Sequence, residues 1–234
     1  MVARVLVAGI YMAQLPNTAA HIIQALSASP AHKIVQRWAA LSPGGGGFCD
    51  LPFTKLVVTQ PTPKFQLLNQ LTKDATEFDW VFLCDDDVEL SVDFLDRFIS
   101  LAERYDFALC QPARTVDSFT DHPIVQILPG LTARRTNFVE IGPVVCMRRD
   151  AARLLMPFGE TSGMGWGLDF VWPRILGGAG LRLGIIDATP IAHRFRPPAI
   201  GYDTTKAHRE MALVMARQEH FTMDKAFTVL EAYA

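Results

Sequence analysis

An α/β domain, with a mostly parallel central sheet flanked by helices, is the fold class this 234-residue sequence predicts. Three observations lead there. Short β-rich apolar runs alternate with helix-period segments through the first half of the chain. One of those runs, Trp80–Cys84, is apolar throughout, which fits a strand buried on both faces. It stops at three consecutive carboxylates, Asp85, Asp86 and Asp87, as a parallel strand does where it emerges at the carboxyl edge of its sheet.

Composition agrees with a globular chain. Half of the residues are hydrophobic and a fifth are charged, which excludes a disordered chain. Lys and Arg total 22 against 24 Asp and Glu, so there is no broad basic field for sequence-independent nucleic-acid binding. The length fits one domain over residues 1–234. Four widely spaced cysteines, Cys49, Cys84, Cys110 and Cys146, read as reduced thiols and not as a zinc set or disulfide frame. No run is long enough to span a bilayer, and the opening residues lack the pattern of a signal peptide. The expectation is a cytoplasmic protein, with peripheral membrane contact left open.

Taken in order, residues 4–10 read as a first buried strand and residues 19–26 as a helix. Residues 33–41 are apolar with the helix-or-strand choice open. Gly44 to Gly47 form a glycine run without the Gly-Lys-Ser/Thr of a phosphate loop, so a plain connection is the expectation. Residues 56–59 read as a strand and residues 64–73 as an amphipathic helix. After the carboxylates, Phe94, Leu95, Phe98, Ile99 and Ala102 recur at helical spacing, and residues 107–110 are strand-like. Residues 112–135 are loop-like, with Arg134 and Arg135 taken as surface charge. Residues 139–147 carry Gly142-Pro143 and read as an edge or bulged strand. A short helix over 151–156, a turn or helix start at Gly163 to Asp169, a strand over 181–187 and a helix over 204–216 follow. The apolar content of residues 226–232 suggests one more helix.

The chemistry concentrates at the acidic strand end. Side chains alternate along a strand, so Asp85 and Asp87 point one way and Asp86 the other. Two like-directed carboxylates repel and are relieved by a cation. Hard oxygen ligands suit Mg²⁺ or Mn²⁺, ions that usually arrive with a phosphate-bearing substrate. The position is also where open α/β sheets bind ligands. The competing reading is a solvated acidic turn at the start of the next helix.

Three features stand in order: the apolar strand with Asp85-Asp86-Asp87, the segment Trp166-Gly167-Leu168-Asp169, and a lone His193 after a late strand. That order resembles the nucleotide-diphospho-sugar glycosyltransferases of the type A (GT-A) fold, and the second segment is similar to a branch with a Trp-Gly-Leu-Asp signature. The resemblance spans residues 4–198. It implies a single Rossmann-like GT-A domain, with residues 1–111 as the nucleotide-sugar-binding half and residues 112–234 as the acceptor side with the C-terminal helices. It further implies a metal-dependent transfer of sugar from a nucleotide-diphosphate donor to the hydroxyl of a saccharide, lipid or small molecule. Asp87 and His193, with Asp85, would ligate Mn²⁺ or Mg²⁺. Donor contacts would come from Asp85, Asp86, Lys64 and Asn69, with Arg194 and Arg196 toward its phosphates. Trp166, Gly167 and Trp172 would face the acceptor, and Asp169 would be the general base. Leu168 stands where many relatives carry a second acid, a departure that weakens the base assignment. The same residues also suit a nucleotide-sugar-binding or scaffolding module without turnover. An Asp-dependent phosphatase fits less well, because Glu89 stands where its Thr or Val belongs.

Overall fold

The computed structural model describes residues 2–196 and 203–234, so the end of the stretch that carries the resemblance, at Pro198, lies outside the described residues. The chain runs β1 (Arg4–Met12), α1 (Ala19–Ser27), β2 (Lys33–Leu41), β3 (Thr54–Val58), α2 (Lys64–Leu71), β4 (Trp80–Cys84), α3 (Phe94–Arg104), β5 (Phe107–Arg114), β6 (Ala133–Thr136), β7 (Val144–Arg148), α4 (Arg149–Leu155), α5 (Leu168–Gly178), β8 (Arg182–Ile191), α6 (Thr204–Arg217), α7 (Met223–Ala226) and β9 (Val229–Tyr233). Nine strands form one sheet in the order β3-β2-β1-β4-β7-β5-β8-β6-β9. Neighbours β3, β2, β1 and β4 are parallel, as is the pair β5 and β8.

The sheet is mixed, which corrects the expectation of a mostly parallel one. Strand β7 lies antiparallel between β4 and β5, and β6 is antiparallel to both β8 and β9. The connection from β5 to β7 holds strand β6 and no α-helix to cover a sheet face, and the chain enters β7 reversed. Of the two readings of residues 139–147, an edge or a bulged strand, the edge is corrected, since β7 is central and pairs over residues 144–148. Residues 229–233 form a strand and not a helix, because the free edge of β6 offers backbone partners and Tyr233 stacks on Tyr105 at 4.2 Å.

Alternation along β4 explains why both faces of the sheet are covered. Trp80, Phe82 and Cys84 join the cluster of α1 and α3, where Phe82 meets Phe98 edge-on at 5.5 Å. Val81 and Leu83 join the opposite cluster, with Phe65 and Leu68 of α2 and Val171 and Trp172 of α5. Residues 33–41 settle as strand, with Trp38 fully buried.

Arg134, read from the sequence as surface charge, is buried at 2% exposure. Its guanidinium donates twice to Asp187, at 2.9 Å from both Nε and Nη2, and reaches the carbonyls of Ile124 and Gln126 at 2.9 and 2.8 Å. The pair pins the loop before β6 to β8. Asp187→Ala leaves that cation unpaired in the interior and is expected to cost about 3–5 kcal/mol. Urea denaturation of the variant measures it, and a loss within about 0.5 kcal/mol, typical of surface changes, contradicts the assignment.

Candidate functional site

The carboxylates lie where strand order reverses. From β1 the chain steps to β2 and β3 on one side and to β4 on the other, so the carboxyl ends of β1 and β4 flank a crevice. A cleft of about 510 Å³ opens there, and Lys64, Asp85, Asp86, Asp87, Trp166, Gly167, Asp169, His193 and Arg196 all line it. Residues widely separated in sequence thus share one cavity.

The three aspartates have three different environments. Asp85 accepts an ion pair from Lys64, at 2.5 Å, the first residue of α2. Asp86 is turned inward at 3% exposure, takes the Met12 amide at 2.7 Å, and is bonded by Arg196. Burial pushes its carboxyl above the ordinary value, more than Arg196 and the amide pull it down. Asp86 therefore ties the end of β1 to β4 and spends its oxygens on the protein itself. Asp87 contacts Arg196 at 3.2 Å and His193 Nε2 at 3.4 Å. Burial alone would raise the Asp87 carboxyl, but His193 and Arg196 outweigh it and hold it below the usual carboxylate range.

His193 is brought across by its neighbours on the loop after β5. Its amide donates to Ser118 Oγ at 2.9 Å, and its carbonyl accepts from the Phe119 amide at 2.7 Å. Its ring is nearly fully buried, with Nδ1 lacking a hydrogen-bond partner, and Asp87 Oδ1 is likewise buried without one. Asp87 Oδ1 and His193 Nε2, 3.4 Å apart, are a carboxylate oxygen and an imidazole nitrogen near enough to share one Mg²⁺ or Mn²⁺ that takes its other ligands from diphosphate and water. Asp85 remains with Lys64, so the three-residue set Asp85, Asp87 and His193 is not assembled. Among the described residues no group of three or more His, Cys, Asp or Glu gathers around a common point.

Asp169 starts α5. Gly165 and Gly167 both have positive φ, at +85° and +91°, and a Cβ on Gly165 would fall 2.2 Å from Phe65, so the turn that aims the helix needs glycine. Asp169 is 6% exposed and its Oδ1 has no partner. Burial pushes its carboxyl up to about 7, against the amides of Asp169, Phe170 and Gly167, which hold it down. Desolvation outweighs the helix end here. Trp166 meets His208 of α6 edge-on at 4.8 Å, and Met211 of the same helix also lines the cleft.

Three expected site residues do not line the cleft. Asn69 donates to the Phe158 carbonyl and accepts the Phe158 amide, both at 2.8 Å, which commits its amide to the loop after α4. Trp172 stacks on Phe158 at 5.7 Å and is 3% exposed, a core role in place of the acceptor wall. Arg194 is exposed and pairs with Glu89 and Asp117. Asn69→Ala is expected to cost about 1–3 kcal/mol, because two buried backbone groups lose their partner. Nucleotide-diphosphate affinity should not move; calorimetric titration of the variant would expose a donor role if it did.

Residues the sequence reading passed over complete the wall. Glu140, 6% exposed, is bonded by Arg114, whose Nη2 also reaches the Gly142 carbonyl at 3.0 Å and whose Nη1 reaches the Phe119 carbonyl at 2.7 Å. Burial pushes Glu140 up to about 7 despite Arg114. One signal was available: Glu140 is a lone acid in an otherwise apolar run. His122 sits beside Phe138 and Phe227, and burial lowers its pKa.

No protein-family model matches the sequence, and no curated protein matches it. Solved structures do match in fold. "Crystal structure of GalNAc-T7 with UDP, GalNAc and Mn2+" aligns with a TM-score of 0.59 and 10% identity, over 89% of this chain and 48% of that one. "Crystal structure of S. aureus TarS 1-349 in complex with UDP-GlcNAc" aligns at 0.53 and 10%, over 91% of this chain and 65% of that one. The chain thus spans about half of the first and under two thirds of the second. The chain shares its fold with these two solved structures. Among the described residues no helix is long and apolar enough to cross a membrane.

Proposed function

We propose that this chain is a metal-dependent glycosyltransferase that moves a sugar from a nucleotide-diphosphate donor to an acceptor hydroxyl, within the branch marked by Trp166-Gly167-Leu168-Asp169. The observation that carries the reading is that the Asp87 and His193 pair and the buried Asp169 line one cleft at the strand-order reversal. The fold shared with structures solved with UDP and UDP-GlcNAc supports it.

Asp87 and His193 would hold the divalent cation, Mn²⁺ or Mg²⁺. When bound, that ion supplies Lewis-acid stabilisation of the departing diphosphate. Lys64 and Arg196, at the same end of the cleft, add positive charge facing the donor. Asp169 takes the proton of the acceptor hydroxyl as its oxygen bonds to the anomeric carbon. The bond from that carbon to the diphosphate oxygen breaks, and its electron pair leaves on the diphosphate. Trp166 and Gly167 form the acceptor wall.

Thermal melting with UDP and with GDP, each with and without Mn²⁺, tests the donor site. Stabilisation by a diphosphate that depends on the cation is the expected result, amounting to about 2.7 kcal/mol at a hundredfold excess over Kd. Absence of stabilisation by either nucleotide, or release of inorganic phosphate from a phosphomonoester, overturns the reading.

A further inference from the structure

We propose that Glu140, held by Arg114, is the residue that reads a hydroxyl of the transferred sugar, and so sets which donor sugar the cleft accepts. The inference rests on the donor-site reading and extends it to the sugar itself.

The placement follows from the order of groups along the cleft. A Cβ added at Gly142 would lie 3.1 Å from Asp85 Oδ2 and 3.4 Å from Lys64 Nζ, so the Glu140–Gly142 stretch abuts the acidic strand end. Arg114 fastens that stretch by bonding both Glu140 and the Gly142 carbonyl. Asp169 and His193 line the same cleft as Glu140, and both act on its carboxyl through space. Glu140 therefore shares one cleft with the end that would take the diphosphate and with the group that would take the acceptor's proton. In a transfer the sugar occupies this cleft between diphosphate and acceptor, because the anomeric carbon is bonded to the one and attacked by the other.

The chemistry of the residue fits the place. Arg114 occupies Oε2 of Glu140, and no described residue donates to Oε1. Glu140 itself lines the cleft, so its second carboxylate oxygen can accept a hydroxyl hydrogen there. Arg114 is 3% exposed and fixed by the Phe119 and Gly142 carbonyls, which leaves Glu140 little freedom to turn. A rigid acceptor in a dry wall discriminates strongly, since a sugar lacking the matching hydroxyl leaves it unpaired.

Glu140→Gln in the full chain tests this, with calorimetric titration of UDP and GDP and of UDP-glucose, UDP-galactose, UDP-N-acetylglucosamine and GDP-mannose, all with Mn²⁺. In the parent, at least one nucleotide sugar is expected to bind more tightly than its bare diphosphate. In the variant the bare diphosphate keeps its affinity, while the extra affinity from the sugar falls by roughly tenfold or more. A deoxy analogue of the preferred sugar should lose affinity to the parent but not to the variant, which separates contact from general damage. Glu140→Asp, which keeps the charge but shortens the reach, should also lose the sugar increment, and serves if the Gln variant does not fold. A bare diphosphate that fails to bind the parent sinks the donor-site reading and this inference with it. A diphosphate that binds normally, with a sugar increment that is missing in the parent or unchanged in the variants, sinks this inference alone.

Discussion

Asp169→Asn is expected to cut sugar transfer by about 10²–10⁴-fold and, at the same time, to make the protein more stable above pH 7. The two effects share one cause. In the folded chain burial lifts the carboxyl to about 7 from an ordinary 3.8. Between those values the folded state holds a proton that the unfolded state has released, so unfolding free energy falls as pH rises from about 4 to about 7 and stays low above it. At 1.36 kcal/mol per pKa unit the loss is at most about 4 kcal/mol. Asn cannot ionise and escapes it. Urea denaturation at pH 4 should give nearly equal stabilities for parent and variant, with the variant ahead at pH 8. In the parent the transfer rate should climb through pH 7 as the base deprotonates. Equal stabilities at pH 8 would remove the desolvated-carboxylate account of Asp169, and unchanged transfer would remove it as the base. Glu140, raised in the same direction by burial, leaves a smaller slope of the same sign in the variant.

Asp87→Ala should abolish the cation-dependent part of nucleotide-diphosphate binding while leaving any weak, cation-independent part. His193→Ala should act on the same quantity, and the double variant should be little worse than either single one, because the two groups would serve one ion. Asp85→Ala should do less, since its partner in the structure is Lys64 and not His193. Titration of the four proteins with UDP at varied Mn²⁺ decides it. Additive losses in the double variant, or a cation response retained in Asp87→Ala, contradict a shared ion.

The acidic strand end was legible because two independent signals coincide there: an apolar run fit only for burial on both faces, and an abrupt change to carboxylates. Asp169 was legible from the glycines before it. Asn69 lies off the cleft for a geometric reason. It follows Lys64 by five residues on one helix, about 140° around the axis, so the two cannot face the same cleft. The burial of Trp172 against Phe158 was not legible, because a tryptophan in a helix looks alike whether it meets core or ligand. Arg134 and β6 were missed because a charged residue reads as exposed until its partner, 53 positions later, is in place. The reversed direction of β7 could not be read either, since strand direction depends on what the connections do in space.

The position of β7 has a consequence for how the chain is made. Its residues, 144–148, are the wedge between strands that end at residues 84 and 114. During synthesis the leading part leaves the ribosome with an open backbone edge on β4 that nothing upstream can close. Such edges are templates for pairing with other chains. Nascent fragments that stop short of Arg148 should consequently be sticky and dependent on chaperones, and the two sequence halves should not be separable into fragments that fold alone.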